Sequence, residues 1–146
     1  MQERQPARSI LPPVPSKTPA SEGGIRLLIA DDSAYCRNGL RALLDCQRGF
    51  ETIGEASSGQ EAIRLVEARQ PDVVLMDLQM PVLNGLQATQ VIKARWPGVR
   101  VVVLSTCATS QIDAVAAGAD MFLVKGCPIE TLLAAILAVQ GVPYAI

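Results

Sequence analysis

The chain has 146 residues, 49% of them apolar, and a net charge of −1. That length fits one domain around one hydrophobic core, and without clustered Lys and Arg the near-neutral charge argues against direct nucleic-acid binding, which needs phosphates neutralised. The cysteines Cys36, Cys46, Cys107 and Cys127 are scattered and histidine is absent, so neither a zinc site nor a disulfide framework is legible.

Residues 1–24, MQERQPARSILPPVPSKTPASEGG, hold five of the ten prolines and show no sustained periodicity. This is the pattern of a disordered or polyproline-like leader. Its single apolar cluster, Ile10 and Leu11, is either a docking motif or part of a featureless tail. No apolar stretch approaches the roughly 18 residues of a membrane span, and no secretory apolar region opens the chain. A cytoplasmic protein without membrane contact is the expectation.

From Ile25 onward, short apolar runs alternate with helix-length amphipathic segments. IRLLIA (25–30) is followed by a helix over about 34–46. ETIGEA (51–56) leads into a helix over 58–69, where Ser58 and Glu61 predict a capping box and Gln70-Pro71 a stop. DVVLMD (72–77) precedes a helix over 85–95, and RVVVLS (100–105) one over about 109–117. MFLVK (121–125) precedes the last helix, 128–140, with Pro128 suited to the first helical position. All the runs except ETIGEA are continuously apolar, as for strands covered on both faces. Five strand–helix alternations predict a doubly wound α/β domain over 25–140, with 141–146 a tail or the start of a linker.

In such sheets, ligands bind beyond the carboxyl ends of the strands. Those ends carry Asp31-Asp32, Asp77, Ser105-Thr106 and Lys125. Adjacent carboxylates repel and call for a cation; Mg2+, a hard ion that prefers oxygen ligands and accepts a phosphate oxygen, suits them. An aspartate can itself attack phosphorus, and Asp77, outside the acidic pair, is the candidate. Each residue also has a plainer reading: Asp31-Asp32 as a helix N-cap pair, Lys125 as a solvated strand end, Phe122 as core, Cys107 as a structural thiol.

The motifs IADDS (29–33), LMDLQMPVLNG (75–85), VVVLST (101–106) and AGADMFLVKG (117–126) together resemble a CheY-like receiver domain of bacterial two-component response regulators. The stretch NGLQATQVIKARWPGVRVVVLS (84–105) with Lys125-Gly126 is most similar to receivers of LuxR/NarL-type transcription regulators. The resemblance implies a flavodoxin-like (βα)5 sheet of strand order 2-1-3-4-5. It further implies Asp77 as phosphoacceptor, with Mg2+ held by Asp32 directly, by Asp31 through water, by Asp77 and by the Gln79 carbonyl. Ser105 and Lys125 would meet the phosphoryl oxygens, and Ser105 with Phe122 would form the switch. The implied partners are a sensor histidine kinase or phosphotransfer protein, and either a second copy or an output domain, which in LuxR-type relatives is a helix-turn-helix module.

Two features depart from the family pattern. The stretch Ser105–Gly118 is short, so the fourth helix should be short or shifted. The last helix is unusually apolar, with Leu132, Leu133, Ile136 and Leu137 expected on its core face and Ala134, Ala135 and Ala138 opposite. Few charges follow Trp96, which points to an interaction surface made by the fourth helix, fifth strand and fifth helix. Two competing readings are a phosphorylation-independent scaffold and a Mg2+-dependent aspartyl-phosphate phosphatase. The phosphatase would need a second acid two residues after its nucleophile, where this chain has Gln79.

Overall fold

A computed structural model describes residues 24–141; the leader expected over 1–24 lies, but for Gly24, outside the described residues, as do 142–146 of the C-terminal tail. The strands are β1 (Ile25–Ala30), β2 (Phe50–Ala56), β3 (Val73–Asp77), β4 (Arg100–Ser105) and β5 (Met121–Val124). The helices are α1 (Ala34–Asp45), α2 (Gly59–Arg69), α3 (Gly85–Arg95), α4 (Gln111–Ala116) and α5 (Ile129–Val139). All strand pairs are parallel, in the order β2-β1-β3-β4-β5 that the family resemblance implies.

The continuous apolar runs bury as their composition demands. Every residue of β3 is buried, because helices cover both of its faces. One core cluster joins Leu28, Val74, Met76 and Val101 to α2 and α3 through Val66, Ala88 and Ile92. The other joins Ile25, Leu27, Ile29, Leu75 and Val102 to α1 and α5 through Leu44, Leu132 and Ile136. β5 departs from the expectation of two covered faces: its first three residues are half-buried and Val124 is exposed. It is the sheet edge, and the six-residue α4 is too short to roof it. The short fourth helix is present as expected, entered through a 3-10 turn at Ala108–Ser110.

Three local expectations need correction. Ser58 caps α2, accepting the Glu61 N–H at 3.1 Å, but Glu61 reaches one residue further back, to the N–H and hydroxyl of Ser57. The complete capping box lies instead at Asn84 and Gln87, at the start of α3. Pro128 is the N-cap of α5, not its first residue: its φ of −58° suits a helix, but its ψ of 147° is extended. On α5 the buried residues are Leu132, Ala135 and Ile136, with Leu133 and Leu137 only half-buried. Positions i, i+3 and i+4 share one helix face, and small Ala135 lets that face approach the sheet.

The crossover from β3 to α3 is drawn tight by Gly85, whose N–H donates to the Leu78 carbonyl at 3.1 Å. A Cβ at Gly85 would collide with the backbone oxygen of Asp77. Gly85→Ala should therefore lower unfolding stability by at least about 2 kcal/mol in urea titration, whereas Gly98→Ala, with open space around it, should change it by under about 1 kcal/mol.

Candidate functional site

Parallel strands of matched length deliver their carboxyl-end residues to one edge of the sheet. The first turn of α1 begins there, with Ser33 as N-cap. Asp31 is tied down from several sides: one carboxylate oxygen accepts the Ser33 N–H at 2.9 Å and the other meets the Lys125 ammonium at 2.8 Å. Its backbone N–H donates to Ala56, and its carbonyl accepts the Arg37 guanidinium at 2.6 Å. The N-cap role weighed for the acidic pair falls to Ser33.

Asp77 ends β3 and is buried, with an oxygen 3.4 Å from the Lys125 ammonium. Asp32 is exposed. Together Asp31, Asp32 and Asp77 offer carboxylate oxygens all within 4.8 Å of one another, the one such acidic group among the described residues. The donor set, three hard carboxylate oxygens brought within 4.8 Å of one another, suits a divalent cation of the Mg2+ type.

The electrostatics point the same way. Burial pushes the Asp77 carboxyl above its ordinary value and the Asp31 charge adds to the rise, while Lys125 and the Gln79 backbone N–H oppose it only in part. The Lys125 ammonium is pulled down by burial, but its contacts with Asp31 and Asp77 outweigh that and its pKa is raised. The lysine is therefore charged at neutral pH, and the site still carries more negative charge than it neutralises.

Ser105 is buried at the end of β4. Its hydroxyl accepts the Cys107 N–H at 3.1 Å, which turns it toward the following loop. Phe122 is half-buried and packs against the core cluster under α2 and α3. Cys107 is exposed, and the Thr109 hydroxyl 2.8 Å from its sulfur lowers the pKa of the thiol. Gln79 touches the site through the N–H that Asp77 accepts.

Two supports were not legible beforehand. Arg37, whose guanidinium also pairs with Glu55 at 3.1 Å, fixes the carbonyl of Asp31. The loop after Asp77 holds Val82 and Leu83 in the left-handed region, at φ 47° and 82°, a conformation unfavourable for branched side chains. The Gly59 N–H clamps the Leu83 carbonyl at 3.0 Å.

Against this geometry, the sequence pattern of the response regulator receiver domain matches residues 27–137. The chain belongs to the response regulator receiver family. It is 36% identical over 119 residues to the transcriptional regulatory protein LnrK of Bacillus subtilis, covering 80% of this chain and 54% of that one. It is 33% identical over 114 residues to the response regulator GacA of Pseudomonas aeruginosa, covering 77% and 53%. The receiver thus spans about half the length of the curated relatives it matches. Among solved structures, the signal receiver domain of NarL from Mycobacterium tuberculosis superposes with a TM-score of 0.76 at 28% identity, covering 81% of this chain and 97% of that one. The CheX-CheY-BeF3-Mg2+ complex of Borrelia burgdorferi contributes a chain with a TM-score of 0.73 at 27% identity, covering 80% and 89%. LnrK is a transcriptional regulatory protein and GacA a response regulator, and no helix of the described residues is long and apolar enough to cross a membrane.

A carboxyl whose pKa is raised on folding destabilises the native state at every pH above its folded pKa, and that penalty disappears below the unfolded value of about 3.9. In EDTA at pH 7, Asp77→Asn should therefore melt a few degrees above the native receiver. The gap should shrink at saturating Mg2+ and close on acidification, as followed by thermal unfolding.

Proposed function

We propose that this receiver accepts a phosphoryl group from a phosphohistidine onto Asp77 and answers by changing an interaction surface. One observation carries the reading: three carboxylates within 4.8 Å of one another, with the Lys125 ammonium 3.4 Å from the one at the end of β3. Asp31, Asp32, Asp77 and the Gln79 carbonyl would hold Mg2+, which when bound offsets the carboxylates' repulsion and the charge of an incoming phosphoryl group.

The rest of the chemistry belongs to the chain's own residues. An Asp77 carboxylate oxygen attacks phosphorus as the nitrogen–phosphorus bond of the donor breaks; the bonding pair leaves with the imidazole, which keeps or regains its proton from solvent. Lys125 stands where a phosphoryl oxygen on Asp77 would lie, and its ammonium is charged for that contact. To reach the same oxygens the Ser105 hydroxyl gives up its hydrogen bonds with the Cys107 N–H and carbonyl, which releases the loop entering α4. The donor is a sensor histidine kinase or phosphotransfer protein, the partner class of receivers.

The output surface is α4, β5 and α5. Ile112, Val115 and Val124 are 79%, 60% and 42% exposed there. Asp120, one of the few charges of the region, is taken up by Lys93 at 2.9 Å and Arg100 at 3.6 Å. Large exposed apolar side chains with little competing charge suit a second copy or an output domain. By analogy with regulators about twice its length, the receiver controls a DNA-binding module within a longer chain. Residues 25–140 form the switching unit.

Intact-protein mass after incubation with acetyl phosphate should show one Mg2+-dependent phosphoryl group on the native chain and none on Asp77→Asn. A native chain that stays unmodified with beryllofluoride and a histidine-phosphotransfer donor as well would leave the scaffold reading in its place. Lys125→Ala removes a charge-assisted contact of about 1.5–3 kcal/mol, so phosphorylation should slow about 10- to 100-fold. Ile112→Lys with Val115→Lys should leave that rate unchanged and abolish any phosphorylation-dependent dimer seen by light scattering.

A further inference from the structure

Asp32 is exposed, so its place at the functional edge is set by the backbone on either side of it, at Asp31 and Ser33. Arg37, in the first turn of α1, takes hold of both. Its backbone N–H donates to the Ser33 carbonyl at 3.0 Å, a contact that any helical residue supplies. Its guanidinium Nη1 donates to the Asp31 carbonyl at 2.6 Å, and that contact needs this side chain.

The guanidinium is itself anchored. Its Nε donates to Oε1 of Glu55 on β2 at 3.1 Å, while Oε2 of the same carboxylate accepts Arg41 Nη1 at 2.6 Å. Arg41 first, and Arg37 with it, hold the Glu55 carboxyl below its ordinary value, so the anchor is charged at neutral pH. Glu55 precedes Ala56, whose carbonyl accepts the Asp31 N–H at 2.9 Å. The turn over residues 31–33 is thus tied to β2 by the backbone and again through Arg37. The Arg37 and Glu55 side chains are 18% and 23% exposed, so salt screens this pair less than an open surface pair.

Groups that hold metal ligands without touching the metal fix ligand orientation, and losing one typically costs on the order of 10- to 100-fold in affinity. Charge alone acts in the opposite direction. A guanidinium beside three carboxylates weakens their attraction for a second cation, so its removal would by Coulomb's law tighten Mg2+. The sign of the change therefore separates holding from charge.

We infer that Arg37 is a positioning residue of the Mg2+ site: bridged to β2 by Glu55, it holds the turn over residues 31–33 so that Asp32 meets the ion in place. The inference rests on the Mg2+ reading of the acidic cluster proposed above.

Mg2+ is titrated into the full chain and followed by the amide NMR shifts of Asp77 and Gln79, with urea unfolding in EDTA run beside it. Arg37→Ala should weaken Mg2+ binding at least about fivefold. Arg37→Lys keeps the charge, and serves where Arg37→Ala does not fold; it offers one nitrogen where the two contacts use two, and should weaken binding at least about threefold. Glu55→Gln should weaken binding in the native background and have no further effect in Arg37→Ala, because it acts through the arginine. Native or tighter affinity in either arginine variant overturns the inference, and with lowered urea stability it reduces Arg37 to a structural role. A Glu55→Gln effect of equal size in both backgrounds overturns the bridge to β2. A native chain whose amides do not respond to Mg2+ overturns instead the reading of the acidic cluster, and the inference falls with it.

Discussion

Everything at the functional edge follows from one costly arrangement: two carboxylates buried on adjacent strand ends, with a third beside them. A buried like-charged cluster is held only where the surrounding structure over-determines it. Here Asp31 is fixed through its backbone N–H, its carbonyl and both carboxylate oxygens, and Asp77 lies at the end of a strand with no exposed residue. Lys125 relieves part of the repulsion, and the remainder is what a divalent cation at this donor set would offset.

The fold supplies the rigidity this needs. Parallel strands covered by helices on both faces place Asp31, Asp77, Ser105 and Lys125 at adjacent ends, so few residues have to be positioned by loops alone. The adjustable parts lie to one side. α4 is six residues long, β5 is an edge strand without full cover, and the Ser105 hydroxyl holds the loop that joins β4 to α4 through its hydrogen bonds with Cys107 alone. Low local stability next to a rigid charged site is what a switch requires, since a small bias from the site can then move a surface.

The fold was legible because its signals are local and redundant. Continuous apolar runs marked the strands, and their ends carried the acidic residues and the lysine, so the alternation alone brought Asp31, Asp32, Asp77 and Lys125 to one edge. Less legible were features set by tertiary packing. Glu61 reaches Ser57 because the chain before α2 places that N–H within range, and no spacing rule selects Ser57 over Ser58. Ala135 is buried more deeply than Leu133, which packs at the margin of the core, because of the roll of α5, and an all-apolar helix does not announce that roll. Arg37 reads as an ordinary helix-surface arginine until β2 brings Glu55 beside it. The strained Val82 and Leu83 carry no glycine signal, and the complete capping box at Asn84 and Gln87 could have been found from its spacing, which matches the pattern sought at Ser58 and Glu61.

The most direct test of the account is the titration of the Asp77 side-chain carboxyl carbon, followed by NMR in EDTA and again in saturating Mg2+. Burial beside Asp31 predicts a midpoint above the ordinary carboxylate range without metal and a marked fall when Mg2+ is added. A midpoint at or below that range in EDTA, unmoved by Mg2+, would contradict the claim that unrelieved carboxylate repulsion organises this site.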